Sequence, residues 1–300
     1  MIIDNKKLNN LLKEKGIVKS ELCKALNISS RTLAKISREE EVRDSVTQKV
    51  LDYFNVSREM LLKINNIYET LKREMENKIG GGLYYETEIR LTYNSNHMEG
   101  SMLSEEQTRY IFETQTIGEI SPNVKIDDVI ETNNHFKCVD YVIDNAFVDL
   151  DEKIIKNLHF LLKQGTKQAQ MYGAGEFKKY PNVIGGEKTT SPEFVEKELK
   201  VLLNEFRSIK DVKIEDIVEF HYRFEKIHPF QDGNGRVGRL IMFKECLKNN
   251  IIPFYIDDRF KAQYYNGLKV WEQEKGFLLE TCLFGQDLYK QILDYFKIDY

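Results

Sequence analysis

The chain has 300 residues, 41% of them hydrophobic and 31% charged, with a formal net charge of -4 and four cysteines. That length carries one large domain or two unequal ones and excludes a peptide hormone or a disulfide-stapled toxin. No window approaches the roughly 18 uninterrupted apolar residues of a membrane-spanning helix, and only Ile2 and Ile3 precede the polar run Asp4-Asn5-Lys6-Lys7, too little for a secretory signal, so a cytoplasmic protein with no membrane partner is expected.

Residues 1–57 hold 11 Lys/Arg against 8 Asp/Glu, leaving 33 against 40 for the remainder. A weakly basic head on an acidic body hints at a phosphate-facing end. Apolar residues recur there at helical spacing: Leu8, Leu11 and Leu12; Leu22, Leu26 and Ile28; Leu33 and Ile36; Val46, Val50 and Phe54. Four short helices follow. Asn27-Ile28-Ser29-Ser30 breaks the second from the third, and Lys19 to Ser37 resembles the helix-turn-helix of the Cro/repressor type, with Arg31, Thr32 and Lys35 on the outer side of the recognition helix. Glu39-Glu40-Glu41 just beyond would repel phosphates, so a bundle used only for packing or dimerisation stays open.

Residues 58–82 read as a charged helical linker closed by Gly80-Gly81-Gly82, the expected joint between a 1–57 domain and an 83–300 domain. Beyond it, helical spacing covers 84–97, 104–114, 126–147, 151–164, 192–207, 212–226, 235–249, 257–273 and 276–296. Tyr172 to Thr190 is the exception and reads as a loop or β-hairpin. The expected fold is mainly α. Cys23, Cys138, Cys246 and Cys282 are scattered, so four buried reduced thiols are expected.

The sharpest local pattern is His228-Pro229-Phe230-Gln231-Asp232-Gly233-Asn234-Gly235-Arg236-Val237-Gly238-Arg239. An imidazole with an ordinary pKa of about 6.5 suits a general base. An acidic side chain four residues on can hold a hard cation. Glycines that accept positive φ turn backbone N–H groups inward at a helix N-terminus, where anions bind. Arg236 and Arg239 add planar forks for phosphate oxygens. The pattern reads as a nucleotide polyphosphate site with a metal ion. Gly233-x-Gly235-x-x-Gly238, followed by Asp257, also fits the dinucleotide-binding fingerprint, but no buried strand precedes it and no βαβ units surround it. A plain capped turn between helices needs neither the histidine nor the arginines. His221 lies seven residues before His228, about 10 Å along a helix axis, too far for one shared ion, so it is assigned to the core or to support of the site. His97, His135 and His159 have no evident companions.

This stretch resembles, at every fixed position, the signature H-P-F-x-[DE]-G-N-G-R-x-x-R of Fic domains, and the likeness runs from about Tyr84 into the C-terminal region. The resemblance implies a helical enzyme that transfers AMP from ATP, with Mg2+, to a Ser, Thr or Tyr hydroxyl of a target protein, the chain itself included. It makes His228 the base and Asp232 the metal ligand. Gly233, Asn234, Gly235 and Arg236 would cradle phosphates, Arg239 would hold the γ-phosphate, and Pro229 and Phe230 would fix the loop. Asn182-Val183-Ile184-Gly185-Gly186-Glu187 resembles the family's flap, which aligns the target by main-chain pairing, although Lys178 stands where the family commonly has Arg. Tyr264-Tyr265 resembles the aromatic pair near the adenine and ribose in relatives, against a plain core role; Glu272 stands where relatives can have Asn and is left out of the site. Ser95-Asn96-His97-Met98-Glu99-Gly100 resembles the family's inhibitory motif, in which Ser95, Glu99 and Gly100 would set Glu99 against Arg239 and deny that arginine to ATP. In some relatives the same glutamate serves to remove AMP, which sequence cannot separate from restraint. A repressor that binds DNA through residues 19–37 and senses ATP in this pocket is the alternative function. Target identity and self-association stay open.

Overall fold

The computed structural model describes residues 2–63, 66–118 and 123–300. It divides into two compact units, Met1–Asn65 and Asn66–Tyr300.

In the first unit, helices α1 (Asn5–Lys15), α2 (Lys19–Leu26), α3 (Ser30–Ser37) and α4 (Asp44–Phe54) follow one another closely. Local chemistry sets their limits. The Asp4 carboxylate accepts from the Lys6 and Lys7 N–H groups, and Ser29 Oγ accepts from the Thr32 N–H, filling donors that a helix start leaves open. Gly16, Asn27 and Asn55 end α1, α2 and α4 in the left-handed conformation that glycine and asparagine tolerate best. Leu8, Leu11, Leu12, Leu22, Ile36, Val50, Leu51 and Phe54 form the core, and an Ile3–Leu62 bridge ties the two ends of the unit together. The helix-turn-helix is α2, the Asn27–Ser29 turn and α3. Arg31 is exposed on α3, Thr32 and Lys35 are half-buried, and two of the glutamates beyond it are neutralised, Glu39 by Lys63 at 2.8 Å and Glu40 by Arg38 at 3.1 Å. Cys23 on α2 is only half-buried, whereas Cys138, Cys246 and Cys282 are buried as expected. Its helix is amphipathic and buries Leu22, which leaves the next residue at the edge of the core.

The second unit contains α5 (Asn66–Glu76), α6 (Leu83–Met98), α7 (Glu105–Thr114), α8 (Ile126–Asp144), α9 (Glu152–Lys163), α10 (Lys167–Tyr172), strands β1 (Val183–Ile184) and β2 (Glu187–Lys188), then α11 (Val195–Ser208), α12 (Ile214–Ile227), α13 (Asn234–Lys248), α14 (Lys261–Val270) and α15 (Gly276–Tyr295). The strands pair antiparallel, Val183 with Lys188 and Ile184 with Glu187. Gly185 and Gly186 both take positive φ between them, the backbone that a two-residue hairpin turn requires.

Helix α13 is the axis of this unit, packed against α12, α8, α9 and α6. It buries Val237, Leu240, Ile241, Phe243 and Leu247, together with Arg236, Arg239, Lys244 and Glu245. A helix buried on every side is a central element, and each charge in it needs a partner. Lys244 donates to the carbonyls of Ala146 and Val148 at 3.2 and 2.6 Å and pairs with Glu245.

Two expectations require correction. The 58–82 linker is divided: Arg58–Met60 forms a short 3-10 turn in the first unit, 64–65 lie outside the described residues, and α5 belongs to the second unit. Ile67, Tyr68 and Leu71 bury the inner face of α5, and it packs on α6 and α8. The glycine triplet is a tight turn between α5 and α6: Glu74 reaches across it to accept from the Tyr84 N–H at 2.9 Å, and a Cβ on Gly82 would collide with that carboxylate. Helix α10, at the edge of a stretch taken as loop, rests on a Thr166 cap and buries no side chain of its own, so no apolar period announces it.

Close backbone approach joins α14 to α15. A Cβ on Gly267 would stand 2.7 Å from the Leu278 nitrogen, and neither backbone can yield alone. Gly267→Ala should cost about 1–3 kcal/mol in urea unfolding, whereas Gly16→Ala, in open space but at positive φ, should act only through backbone strain; equal stability of Gly267→Ala and the native chain would contradict this packing.

Candidate active site

Helix α12 ends where His228 turns into the left-handed conformation, φ 51 and ψ 64, while its N–H still donates to Phe224 O at 2.9 Å. The turn throws residues 229–233 across the N-terminus of α13. Phe230 is fully buried and stacks face to face on the His159 ring, with centroids 3.8 Å apart. His159 also joins Asp232 O at 3.1 Å through Nε2 and accepts from the Gly175 N–H at 2.8 Å through Nδ1, so the loop is braced from α9 by a residue that looked solitary in sequence. Gly233, φ 81, caps α13.

Asn234 braces the loop through its side chain. It is 1% exposed; its Oδ1 accepts from the Phe230 N–H at 2.8 Å and its Nδ2 donates to Phe230 O at 2.9 Å. Both ends of the amide are spent on holding the loop, which leaves the backbone N–H in the first turn of α13 as the group that an anion could meet.

Around the N-terminal end of α13 three cations meet three carboxylates. Arg239 donates to Glu99 Oε1 at 2.7 Å, to Ser95 Oγ at 3.0 Å and to Ser95 O at 2.9 Å. Ser95 lies on α6 and Glu99 caps its end, one turn apart as their spacing demands. Gly100, φ +94, then turns the chain away. The Glu99 carboxylate lies so close over Gly235 that a Cβ there would collide with it. Arg236 pairs with Glu131 of α8 and stands 3.4 Å from Asp232 Oδ2; Lys163, at the end of α9, pairs with Glu131 and, at 2.5 Å, with the same Asp232 oxygen. Burial opposes ionisation of Glu99, but Arg239 and Arg236 outweigh it and hold the carboxyl below its ordinary range. Asp232 is likewise held low, against burial, by Arg236 and Lys163. Arg236 Nε and Arg239 Nη1 are buried donors without a protein acceptor among the described residues.

The His228 imidazole is pushed down to about 4, chiefly by burial and also by the Lys178 charge; it is neutral at physiological pH with its lone pair available. Glu225, one turn earlier, places a carboxyl oxygen 3.8 Å from His228 Nδ1. Burial, aided by the Glu99 charge, raises it to about 8, which leaves it protonated at neutral pH. His221 is a core residue, bonded to the Tyr264 hydroxyl at 2.5 Å and packed so tightly under Gly238 that a Cβ there would lie 2.6 Å from Nδ1.

The hairpin is fastened to the His228 loop by its base. Lys178 donates its N–H to Pro229 O at 2.8 Å, and its buried ammonium reaches Asn182 Oδ1, Thr189 Oγ1 and Ile227 O at 2.9, 2.6 and 3.1 Å. The lysine thus ties both ends of the hairpin to the end of α12. Val183, Ile184, Gly185 and Gly186 form the exposed part of the hairpin and take no share in that attachment. Tyr264 is 1% exposed behind Arg239, its ring 5.8 Å from the guanidinium, and so supports the arginine instead of lining an open pocket. Tyr265 is 38% exposed and donates to Met98 O at 3.3 Å. Glu272 binds Tyr222 and Lys226 at the surface.

Residues 149–246 match the Fic/DOC family, and residues 7–75 match the Cro/C1-type HTH DNA-binding domain. The chain is thus similar to a Fic/DOC domain in the one stretch and to a helix-turn-helix module in the other. It is 24% identical over 272 residues to a protein adenylyltransferase Fic of Aedes aegypti, covering 88% of this chain and 51% of that protein. A protein adenylyltransferase Fic of Nematostella vectensis is 25% identical over 246 residues, covering 80% and 54%. The chain spans about half the length of these relatives. The fold is shared with a Fic domain containing signaling protein from Bacteroides thetaiotaomicron, TM-score 0.61 at 22% identity over 77% of this chain and 94% of that one. It is shared also with Fic-1 from Caenorhabditis elegans, TM-score 0.61 at 18% identity over 90% and 78%. No helix among the described residues is long and apolar enough to cross a membrane.

Sequence reading missed Lys163, Glu131, Glu225 and the bracing role of His159. Lys163 follows His159 by one helical turn and Glu225 precedes His228 by three residues, spacings that place each pair on one helix face; Glu131 carries no local signal at all.

Buried His135, His159, His221 and His228 are all held neutral, at about 3, 4, 3 and 4. Unfolded histidines titrate at about 6.5, so between that pH and about 4 the unfolded chain binds more protons and stability falls as pH falls. An NMR titration should find the His228 ring, identified by its loss in His228→Gln, with a midpoint near 4; a midpoint of 6 or above would contradict the burial described.

Proposed function

We propose that the chain is a protein adenylyltransferase, transferring AMP from ATP to a Ser, Thr or Tyr hydroxyl, and that Glu99 restrains it. The observation that carries this reading is the Glu99–Arg239 pair, a carboxylate seated over Gly235 at the N-terminus of α13, where helix amides and the helix dipole favour an anion.

The residues suit a triphosphate. Arg236 Nε and Arg239 Nη1 are buried donors in need of acceptors, and the arginine forks match phosphate oxygens. They suit Mg2+ as well: at nucleotide sites it takes one or two carboxylates with phosphates and waters, and an ionised carboxylate stands beside Arg236. Asp232 is that carboxylate. Mg2+ held there would neutralise charge on the α- and β-phosphates. His228, neutral and facing the site, takes the proton of the target hydroxyl as its oxygen bonds to the α-phosphorus; the bond to the β-phosphate oxygen breaks and pyrophosphate leaves. Arg236 and Arg239 hold the departing phosphates, and the hairpin edge at Val183 and Ile184 pairs with the target main chain. With Glu99 on Arg239, the γ-phosphate lacks its seat and the α-phosphorus is not presented to the base.

Intact-protein mass spectrometry after incubation with ATP and Mg2+ tests this reading, because self-modification needs no known target. Glu99→Gly should gain an AMP-sized mass at least about 10-fold faster than the native chain, the scale of one lost charge-assisted contact of ~1.4 kcal/mol or more. Glu99→Gly/His228→Ala should gain none; an addition that survives loss of His228 would overturn the assignment of the base.

The first unit supports DNA binding as an accompanying role, on its match to the Cro/C1-type domain and the neutralised Glu39 and Glu40 beside α3. Mobility shift with genomic fragments should give binding that weakens with salt and falls several-fold in Arg31→Ala; no binding at low salt would refute it.

A further inference from the structure

Lys163 is a charged residue at the heart of the site to which the phosphate chemistry assigns no role. It is 2% exposed, at the last residue of α9. Its ammonium bonds to Glu131 and, at 2.5 Å, to Asp232 Oδ2. Arg236 closes the ring, binding the same Glu131 and standing 3.4 Å from the same Asp232 oxygen. Two cations and two carboxylates from α8, α9, α13 and the loop before it thus form one neutral assembly, shielded except at Asp232, whose side chain is 36% exposed.

A divalent cation that reaches Asp232 meets an ammonium already bonded to that oxygen. Like charges a few ångströms apart in a buried setting repel strongly, so both cannot keep Oδ2. Glu131 offers the ammonium a second seat. The crevice shared by Lys163 and Asp232 is also lined by Gln168, whose buried Oε1 has no protein donor among the described residues. An exit for the ammonium is therefore built beside the place it must vacate.

We propose that Lys163 is a resident cation which holds Asp232 in place before the metal arrives and must be displaced when it does, making Lys163 a positioning residue that sets how strongly nucleotide binding depends on Mg2+. This rests on the reading of Asp232 as the metal ligand. With Lys163 in place the site keeps its charge balance without a metal, so metal-free nucleotide binds tolerably and Mg2+ adds little. Without it, Asp232 and Glu131 face only Arg236, and the divalent cation becomes the main counter-charge.

The test is calorimetric binding of α,β-methylene-ATP, which cannot transfer AMP, with Mg2+ and with EDTA, in the Glu99→Gly background. The readout is the ratio of the two dissociation constants, a coupling factor between metal and nucleotide. Lys163→Met should raise that ratio about 10-fold over the Glu99→Gly parent, a coupling of ordinary size, whereas Lys163→Arg, which keeps the charge, should leave it within about twofold. A ratio in Lys163→Met equal to the parent's, with the parent's ratio abolished by Asp232→Asn, overturns the role of Lys163 and leaves the metal site standing. A ratio that Asp232→Asn does not change overturns the metal site and the proposal with it. If Lys163→Met does not fold, Glu131→Gln serves instead: it removes the second seat, binds Lys163 more tightly to Asp232, and should lower the ratio; a ratio that stays or rises overturns the proposal.

Discussion

Burying a guanidinium is among the most costly things a fold can do, and this one buries two, Arg236 and Arg239, a turn apart on its central helix. Each must find acceptors inside the protein, and that need fixes the positions of the surrounding helices. Arg239 draws in the end of α6 through Ser95 and Glu99. Arg236 draws in α8 through Glu131, which in turn holds Lys163 of α9 against Asp232. The residues that would meet a triphosphate are the same residues that hold these helices together before one binds, with internal carboxylates in the role of the phosphates.

That substitution gives restraint a simple physical form. Glu99 need not block a channel or move a domain; on the proposed reading it satisfies the arginine that the γ-phosphate requires. A native contact of this kind is also graded. Glu99 is 26% exposed at its side chain, whereas Arg239 is 3% exposed, so the carboxylate is the partner that can leave while the guanidinium stays fixed by Ser95. On the same proposed reading Lys163 and Asp232 repeat the relation at the other end of the site, an internal cation bonded to the carboxylate that would hold the metal ion.

Much of this was legible in the sequence, for identifiable reasons. The helices of the second unit carry long apolar periods, and the run from His228 to Arg239 is local, so the loop, its histidine and its arginines could be read from adjacent residues. Ser95 and Glu99 were marked by their resemblance to an inhibitory motif, and the one helical turn between them lets a single helix present both. What escaped reading is what only the fold brings together. Glu131 is 105 residues from Arg236, and Lys163 is 69 residues from Asp232. The bracing by the Asn234 side chain was also not legible, because nothing in the local pattern says that its bonds run back to Phe230. The glycine triplet at 80–82 was misread as a joint because glycine permits flexibility, positive φ and close approach alike; here Gly81 takes positive φ and Gly82 lies against the Glu74 carboxylate.

The central claim is that Glu99 and the γ-phosphate compete for Arg239. Crystal structures of the native chain and of Glu99→Gly, each with α,β-methylene-ATP and Mg2+, test it most directly. The variant should show Arg239 on the γ-phosphate and the α-phosphorus facing the His228 ring, while the native chain keeps Arg239 on Glu99 and holds the triphosphate in a different pose. The same triphosphate pose in both, with Glu99 still bonded to Arg239 in the native chain, would contradict the claim.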